Sequence, residues 1–426
     1  MNKNTTLIGQ LKRGLLHFCE KLSDGLTRPM MKFLSQMLYG LLVNQSIMLS
    51  EIARALQEDI PLIKTENRLS RNLKGFEENI ACVCGNYLEE VKPLVDDDTI
   101  FCLDPGDICK KYSRHQEGLD WIEDGSTHKP SLGWQLIGVT ALTHGNKLPI
   151  PVYTELLAPA DIMEDTLTEA IVVAISSVQR NFGGPTGIFS MDRAMDTNAI
   201  YGKCFDTKQR FIIRAKVNRN LIADGETVNI TVAAQRVKGK YRMNFTDKHD
   251  KTHKLKAGYV PVLLPDFPDH PLSLVVVYGY EYGGPMLLLT NLPIEGKGTC
   301  LRVLKAYLCR WRIEENYRFI KNQFHLENIR VRSFASVRSL VFLLTVLTGW
   351  IVMLANKKGS SLLVEEVLNR ALRLFEIPNF TLYAVADGIY NIMKFASRGI
   401  SAALAKPPRS QQLSLFQPYA FNYSVA

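Results

Sequence analysis

Tyr307, Arg310, Glu314 and Lys321 stand 3, 4 and 7 residues apart within TCLRVLKAYLCRWRIEENYRFIKNQFHLEN. At ~100° per residue these offsets fall within about 60° of arc, so on one long helix from about Thr299 to Phe324 the four side chains share a face. Leu304, Leu308 and Trp311 supply a packing stripe on another. An i,i+4 ion pair accounts for Arg310 beside Glu314 equally well, so the stripe alone decides nothing. Two further carboxylates change its meaning. Ile100-Phe101-Cys102-Leu103 reads as a buried strand ending at Asp104 before a Pro-Gly turn, and GIFSMD as a short strand ending at Asp192. Three carboxylates on one α/β unit are hard oxygen donors suited to two divalent cations, Mg²⁺ or Mn²⁺; zinc would call for His or Cys. Such ions clamp the attacking and leaving oxygens of an in-line displacement at phosphorus, with Arg310 and Lys321 placed to hold a phosphodiester. Asp107 competes with Asp104 for the ligand role. Asp104 follows the apolar strand directly and is preferred; Asp107 is expected to face solvent or Lys110 and Lys111.

The elements that must position these groups follow from the patterning. Residues 1–90 read as helical. SEIARALQEDIPLIKTENRLSRNLKGF suggests two helices about a short turn, with Ser50 as cap and Ile52, Leu56 and Ile60 facing inward. On the second helix Lys64, Arg68 and Arg71 lie at i, i+4 and i+7, with Lys74 nearby. That is either a solvated basic face or the recognition helix of a helix-turn-helix. Strands, helix, strand, helix and strand then describe an α/β core over 91–217 and 298–356. It has two strands about His144-Gly145-Asn146, a helix from Asp165 to Gln179, another from Ala194 to Phe205, and the strand RFIIRAKV. Residues 218–297 read as a β-rich insertion outside that core. The apolar run Leu340–Asn356 is short of the ~20 residues a membrane span needs and is expected as a buried helix under the sheet. Residues 357–426 read as mainly helical, with an unassigned polar tail after Pro407.

Composition sets the outer bounds. A chain of 426 residues with 46% hydrophobic and 22% charged residues is globular and too long for one small module. Its 51 Lys+Arg against 42 Asp+Glu leave +9, which favours a polyanionic partner without saying which. The eight cysteines form no C-x-x-C pair and no cluster that completes a zinc site, so reduced, inert thiols and a cytoplasmic location are expected. No signal peptide is evident.

With these residues in place the chain resembles the DDE transposases of bacterial insertion sequences. It resembles most the IS-four subgroup, marked by Tyr-x-x-Arg-x-x-x-Glu-x-x-x-x-x-x-Lys, here Tyr307, Arg310, Glu314 and Lys321. YLCRWRIEENYRFIK is especially similar to the transposase of transposon five, and MDRAMD matches the family's second-aspartate motif. The resemblance spans roughly residues 95–330. It implies a ribonuclease-H-like catalytic core with Asp104, Asp192 and Glu314 as a metal-binding triad for two ions. It also implies a helical N-terminal DNA-recognition domain, and a homodimer that bridges two double-stranded transposon ends and joins them to target DNA. By position, Tyr307, Arg310, Lys321 and Arg193 would contact the DNA backbone. Trp311 would lie near the displaced terminal base, or else pack in the core. Met286 stands where the relative stacks a flipped base on a Trp, so a hairpin intermediate is left open. Two other readings remain at this level: a non-catalytic DNA-binding repressor, and a cellular nuclease of the same fold that cuts without joining.

Overall fold

The computed structural model describes residues 3–143, 148–157, 164–247, 251–281, 284–356, 361–372, 381–396, 399–400 and 404. The His144-Gly145-Asn146 turn and the tail after Pro407 lie outside these. Among the described residues a mixed sheet of 12 strands runs in the order β2-β3-β1-β5-β6-β12-β11-β10-β7-β8, with β4 on β3 and β9 on β10. Its centre is β1 (Ile100–Cys109), β5 (Ile188–Met191) and β6 (Arg210–Arg214), paired in parallel. Runs such as Ile-Phe-Cys-Leu and Phe-Ile-Ile are apolar on both faces, as a strand covered on both sides requires. On one side β1 pairs antiparallel with β3 (Lys129–Leu142), which also pairs with β2 (Asp120–Asp124) and β4 (Ile150–Leu157).

Two expectations about the sheet change. Pro105-Gly106 is not a turn: β1 continues through it in register with β3 as far as Cys109 opposite Gly133. The parallel partner β5 ends at Met191, so beyond Leu103 that edge of β1 is free of β5 and a proline is tolerated there. The 218–297 segment is not outside the core sheet. Its strands β7 (Asn220–Ala223), β8 (Glu226–Asn229), β9 (Tyr241–Thr246), β10 (Thr252–Leu264) and β11 (Phe267–Glu281) lead to β12 (Gly284–Thr290), and β12 pairs with β6. Between β8 and β9 Asn229 caps a short helix, α8 (Ile230–Gln235), by accepting the Thr231 N–H.

Helices cover both faces. α6 (Glu164–Asn181) and α7 (Asn198–Asp206) pack on one, α9 (Lys297–Leu308) and α10 (Trp311–Gln323) on the other. α11 (Phe334–Asn356) is long and apolar enough to cross a membrane, but 83% of its apolar window is buried inside the protein. Of the N-terminal helices α1 (Lys3–Leu22), α2 (Arg28–Asn44), α3 (Leu49–Leu56), α4 (Leu62–Gly75) and α5 (Ile80–Val91), it packs against α2, α4 and α5, as well as against β4; α1 and α3 join the bundle through α2. Phe33, Phe76 and Phe342 pack in sequence, with their rings tilted to one another, where these meet. α12 (Ser361–Asn369) and α13 (Leu382–Met393) complete the helical side.

The two-helix unit near residue 50 is present as α3 and α4, with different details. Met48, not Ser50, is the N-cap residue of α3, and Ser50 lies within the first turn. Ile52 and Leu56 are buried, but Ile60 is 45% exposed because the chain leaves the helix at Gln57 and turns outward. Arg68 is not free on the basic face: its Nη2 lies 2.8 Å from Glu58 Oε2, while Lys64 and Arg71 are exposed.

Candidate active site

Two properties of the β1–β5 pair bring the aspartates together. Its register ends with Leu103 opposite Met191, so Asp104 and Asp192 each follow by one residue at the same C-terminal edge, where adjacent strands lie about 4.8 Å apart. Side chains alternate faces along a strand. Phe101, Leu103, Phe189 and Met191 enter the core beneath α6, α7 and α11, whereas Cys102 and Ile188 face α9 and α10. Counting on in twos turns Asp104 and Asp192 toward α9 and α10. The crevice at the carboxyl ends of parallel strands is where open α/β sheets bind ligands.

The expected single helix is broken. α9 ends at Leu308 and α10 begins at Trp311. Through the junction Arg310 N–H donates to Tyr307 O at 2.9 Å and Ile313 N–H to Arg310 O at 3.1 Å, i to i+3 bonds that tighten the chain without reversing it. Tyr307, Arg310 and Glu314 therefore still face one place. Leu304 and Leu308 are buried as the stripe required; Trp311 is half-exposed, with the Arg312 guanidinium 4.3 Å from its ring centre.

Arg310 sits among the three carboxylates. Its Nη1 lies 3.2 Å from Asp104 Oδ2, and its Nη2 lies 2.7 Å from Glu314 Oε1 and 4.0 Å from Asp192 Oδ2. Glu314 and Asp192 are thus no farther apart than the last two distances laid end to end, and Asp104 is one guanidinium width beyond. The Tyr307 hydroxyl donates to Asp192 Oδ1 at 3.4 Å. Burial pushes the Asp104 carboxyl up to about 7; Arg310 opposes the rise, and Asp192 and Glu314 add to it. Burial works against the Arg310 charge, yet Asp104 and Asp192 keep it protonated even more firmly than usual. The Tyr307 hydroxyl is raised to about 12, by burial first and Asp192 second. One guanidinium cannot balance three carboxylates. The surplus negative charge, and an aspartate already forced toward neutrality, make these oxygens a fitting set for divalent cations.

The other anticipated residues divide. Arg193 is exposed directly after Asp192, in a 3-10 turn. Lys321, two turns beyond Glu314, does not reach the trio. It pairs with Asp107 Oδ2 at 2.7 Å and Glu327 Oε1 at 3.5 Å, which corrects the expectation that Asp107 faces solvent, Lys110 or Lys111. Met286 is only 1% exposed, packed in the core of β12 beneath α9, and offers no face to a base in this fold. Lys64, Arg68 and Arg71 stay on α4, outside the cluster.

Asp107, Cys109 and Asp124 also bring ligand atoms within 4.8 Å of one another. That cluster is already compensated. Lys321 holds Asp107, Lys111 lies 3.2 Å from Asp124 Oδ2, and burial, reinforced by Asp107, raises the Cys109 thiol to about 12. A protonated thiol is a poor partner for a hard cation, and we assign the group a structural role.

Two residues escaped the sequence reading. Tyr317 stands seven residues from Arg310, on the same stripe, so its placement was available from the spacing. Its hydroxyl donates to the Asp104 backbone O at 2.7 Å while its ring packs on Gly106 and Gly138, which seats α10 over β1 and β3. Asp196 had no such signal. It is 1% exposed, lies 2.6 Å from Arg219 Nε and accepts from the Tyr201 hydroxyl at 2.9 Å, pinning the turn that follows Asp192.

A family model described as the transposase DDE domain matches residues 117–349, more than half of the chain. The chain belongs to the transposase DDE-domain family. The matched stretch of this DDE transposase includes Asp192 and everything from Tyr307 to Lys321; Asp104 precedes it. No curated protein matches the chain. Family membership makes it a transposase acting on DNA, of a kind that generally uses divalent metal ions, and the mixed α/β sheet is consistent with a ribonuclease-H-like domain.

Proposed function

We propose that this DDE transposase is a cut-and-paste enzyme of the IS-four type, similar to the transposase of transposon five. It would cleave transposon ends by hydrolysis and join the freed 3′-hydroxyls to target DNA through one active site. The observation that carries this reading is the convergence of Asp104, Asp192 and Glu314 on a single guanidinium where the β1–β5 pairing ends. Asp104, Asp192 and Glu314 would hold two Mg²⁺ or Mn²⁺ ions, which supply Lewis-acid stabilisation of the oxygens that exchange at phosphorus.

The chain's own groups do the rest. Tyr317 holds Asp104 through its backbone, and the Asp196–Arg219 pair holds the turn after Asp192, so the carboxylates are placed before substrate arrives. Arg310 and Tyr307, with donors at the mouth of the cluster, grip non-bridging oxygens of the scissile phosphate once their carboxylate partners are otherwise engaged. Arg193, exposed directly after Asp192, extends the grip along the backbone; Lys321 joins it only on leaving Asp107 and Glu327. Water attacks phosphorus in the first step and the 3′-oxygen leaves with a proton. In the second, that 3′-hydroxyl attacks a target phosphodiester, losing its proton as the new P–O bond forms and the old one breaks. The ends are held by a homodimer, because joining needs both at once. A hairpin intermediate draws no support from the buried Met286.

Asp192→Asn and Glu314→Gln are each expected to lower Mg²⁺-dependent cleavage of the cognate ends by on the order of 10³-fold while DNA binding persists. Undiminished cleavage in either variant overturns the assignment. Cutting without strand transfer by the wild type would favour a nuclease instead.

A further inference from the structure

Away from the carboxylates the described surface carries a band of cations. Arg71 and Lys74 on α4 line a hollow whose other wall is Arg330 and Arg332, from the segment joining α10 to α11. Those two arginines line a second hollow with Lys111 and Arg114 of the loop after β1. Lys111 and Arg114 in turn line a third with Trp121 and Lys129. The shared walls make the three hollows one continuous surface from the helix-turn-helix to the loop that follows the Asp104 strand. At ~3.3 Å per residue, that loop begins about 20 Å from Asp104.

The band is built into the fold. Lys110 Nζ donates to Glu327 O at 2.6 Å and Ile329 O at 2.7 Å, Gln116 Nε2 to Val331 O at 2.7 Å, and Glu117 N–H to Arg332 O at 2.8 Å. These bonds clamp the 327–332 segment against the loop and fix where Arg330 and Arg332 stand. Arg71, Lys74, Arg114, Arg330 and Arg332 are all exposed and have no carboxylate partner among the described residues. Of the acids that line the three hollows, Asp124 holds Lys111 and Glu327 lies beside Lys321, which leaves Glu66; Glu117, in the loop beside them, accepts the Phe334 N–H. Two large aromatic residues project from the same surface, Tyr112 at 99% exposure and Trp121 at 69%. Unpaired like charges held close together are costly in the free protein and favourable against a polyanion, and aromatic side chains interleaved with Lys and Arg are the composition of a nucleic-acid track.

We propose that this band is a DNA-backbone track that carries one duplex between helix α4 and the carboxylate trio, with Arg114, Arg330 and Arg332 as its central phosphate contacts. The proposal rests on the DNA reading of the site and adds the path the substrate takes to it. Phosphate contacts are independent of sequence, so a fluorescein-labelled duplex of 30 base pairs (~30) and arbitrary sequence is a sufficient probe. Anisotropy titrations of the full chain across a range of salt give the slope of log K against log[salt]. The triple variant Arg114→Ala/Arg330→Ala/Arg332→Ala should reduce that slope by about 3 and weaken binding at least ~10-fold at moderate salt. The Lys-for-Arg triple at the same positions keeps the charge and should restore the slope. Arg180→Ala/Lys203→Ala, on α6 and α7 and lining none of the three hollows, should leave it unchanged. A folded Ala triple with wild-type slope and affinity overturns the track while leaving the catalytic assignment intact. A wild-type protein that binds no duplex sinks the functional reading itself.

Discussion

Burial raises the Asp104 carboxyl to about 7 against the pull of Arg310, and Asp192 and Glu314 lift it further. An unfolded Asp titrates near ~3.9. Between about pH 4 and 7 the folded chain therefore holds more protons than the unfolded one, and the stability of the metal-free protein falls as pH rises through that window. Asp104→Asn removes this dependence. Urea unfolding at stepped pH should show wild-type stability declining relative to the variant from about pH 4 and levelling near 7; parallel curves would mean that Asp104 titrates normally. The Asp196 carboxylate is buried against Arg219, so Asp196→Ala leaves an uncompensated guanidinium and should cost about 3–5 kcal/mol in the same measurement.

At the scale of elements, the α9–α10 break and the strand alternation explain which side chains meet. Tyr317 is the spacer between α10 and the sheet, with its ring against Gly106 and Gly138. Tyr317→Phe keeps the ring and loses the bond to Asp104 O, a cost of about 1 kcal/mol, and should slow cleavage more than it weakens DNA binding. Met286 belongs to the layer between β12 and α9. Met286→Ala is therefore expected to cost about 2–5 kcal/mol of stability with DNA affinity unchanged once folded. The reverse pattern, normal stability with weakened end binding, would return Met286 to the DNA.

Over the whole molecule the N-terminal helices and the sheet share one core through α11. Phe342 stands next to Phe76, and the Tyr87 hydroxyl on α5 donates to Pro151 O on β4 at 2.6 Å. Helices built this way do not melt separately from the sheet they cover. Calorimetry should show a single transition, and Phe342→Ala, at about 3–5 kcal/mol, should lower it for probes in both regions together. A displaced early transition for residues 1–90 alone would instead make the N-terminal helices an independent module.

What could be learned from the chain alone was whatever short-range rules govern. Apolar runs located β1, β5, β6 and α11, and a period of about 3.6 put Tyr307, Arg310 and Glu314 on one side and would have admitted Tyr317 as well. Position directly after a buried apolar run singled out Asp104 and Asp192, although only Asp192 stands at the end of its strand; β1 runs on past Asp104 to Cys109. Contacts between distant segments are not written in local periodicity. The pairing of β12 with β6, the Lys321–Asp107 ion pair, the burial of Met286 and the Glu58 partner of Arg68 all depend on which segments the closed sheet and its helices press together. The cation band is of the same kind: its arginines come from α4, the loop after β1 and the segment before α11, and only folding makes them neighbours.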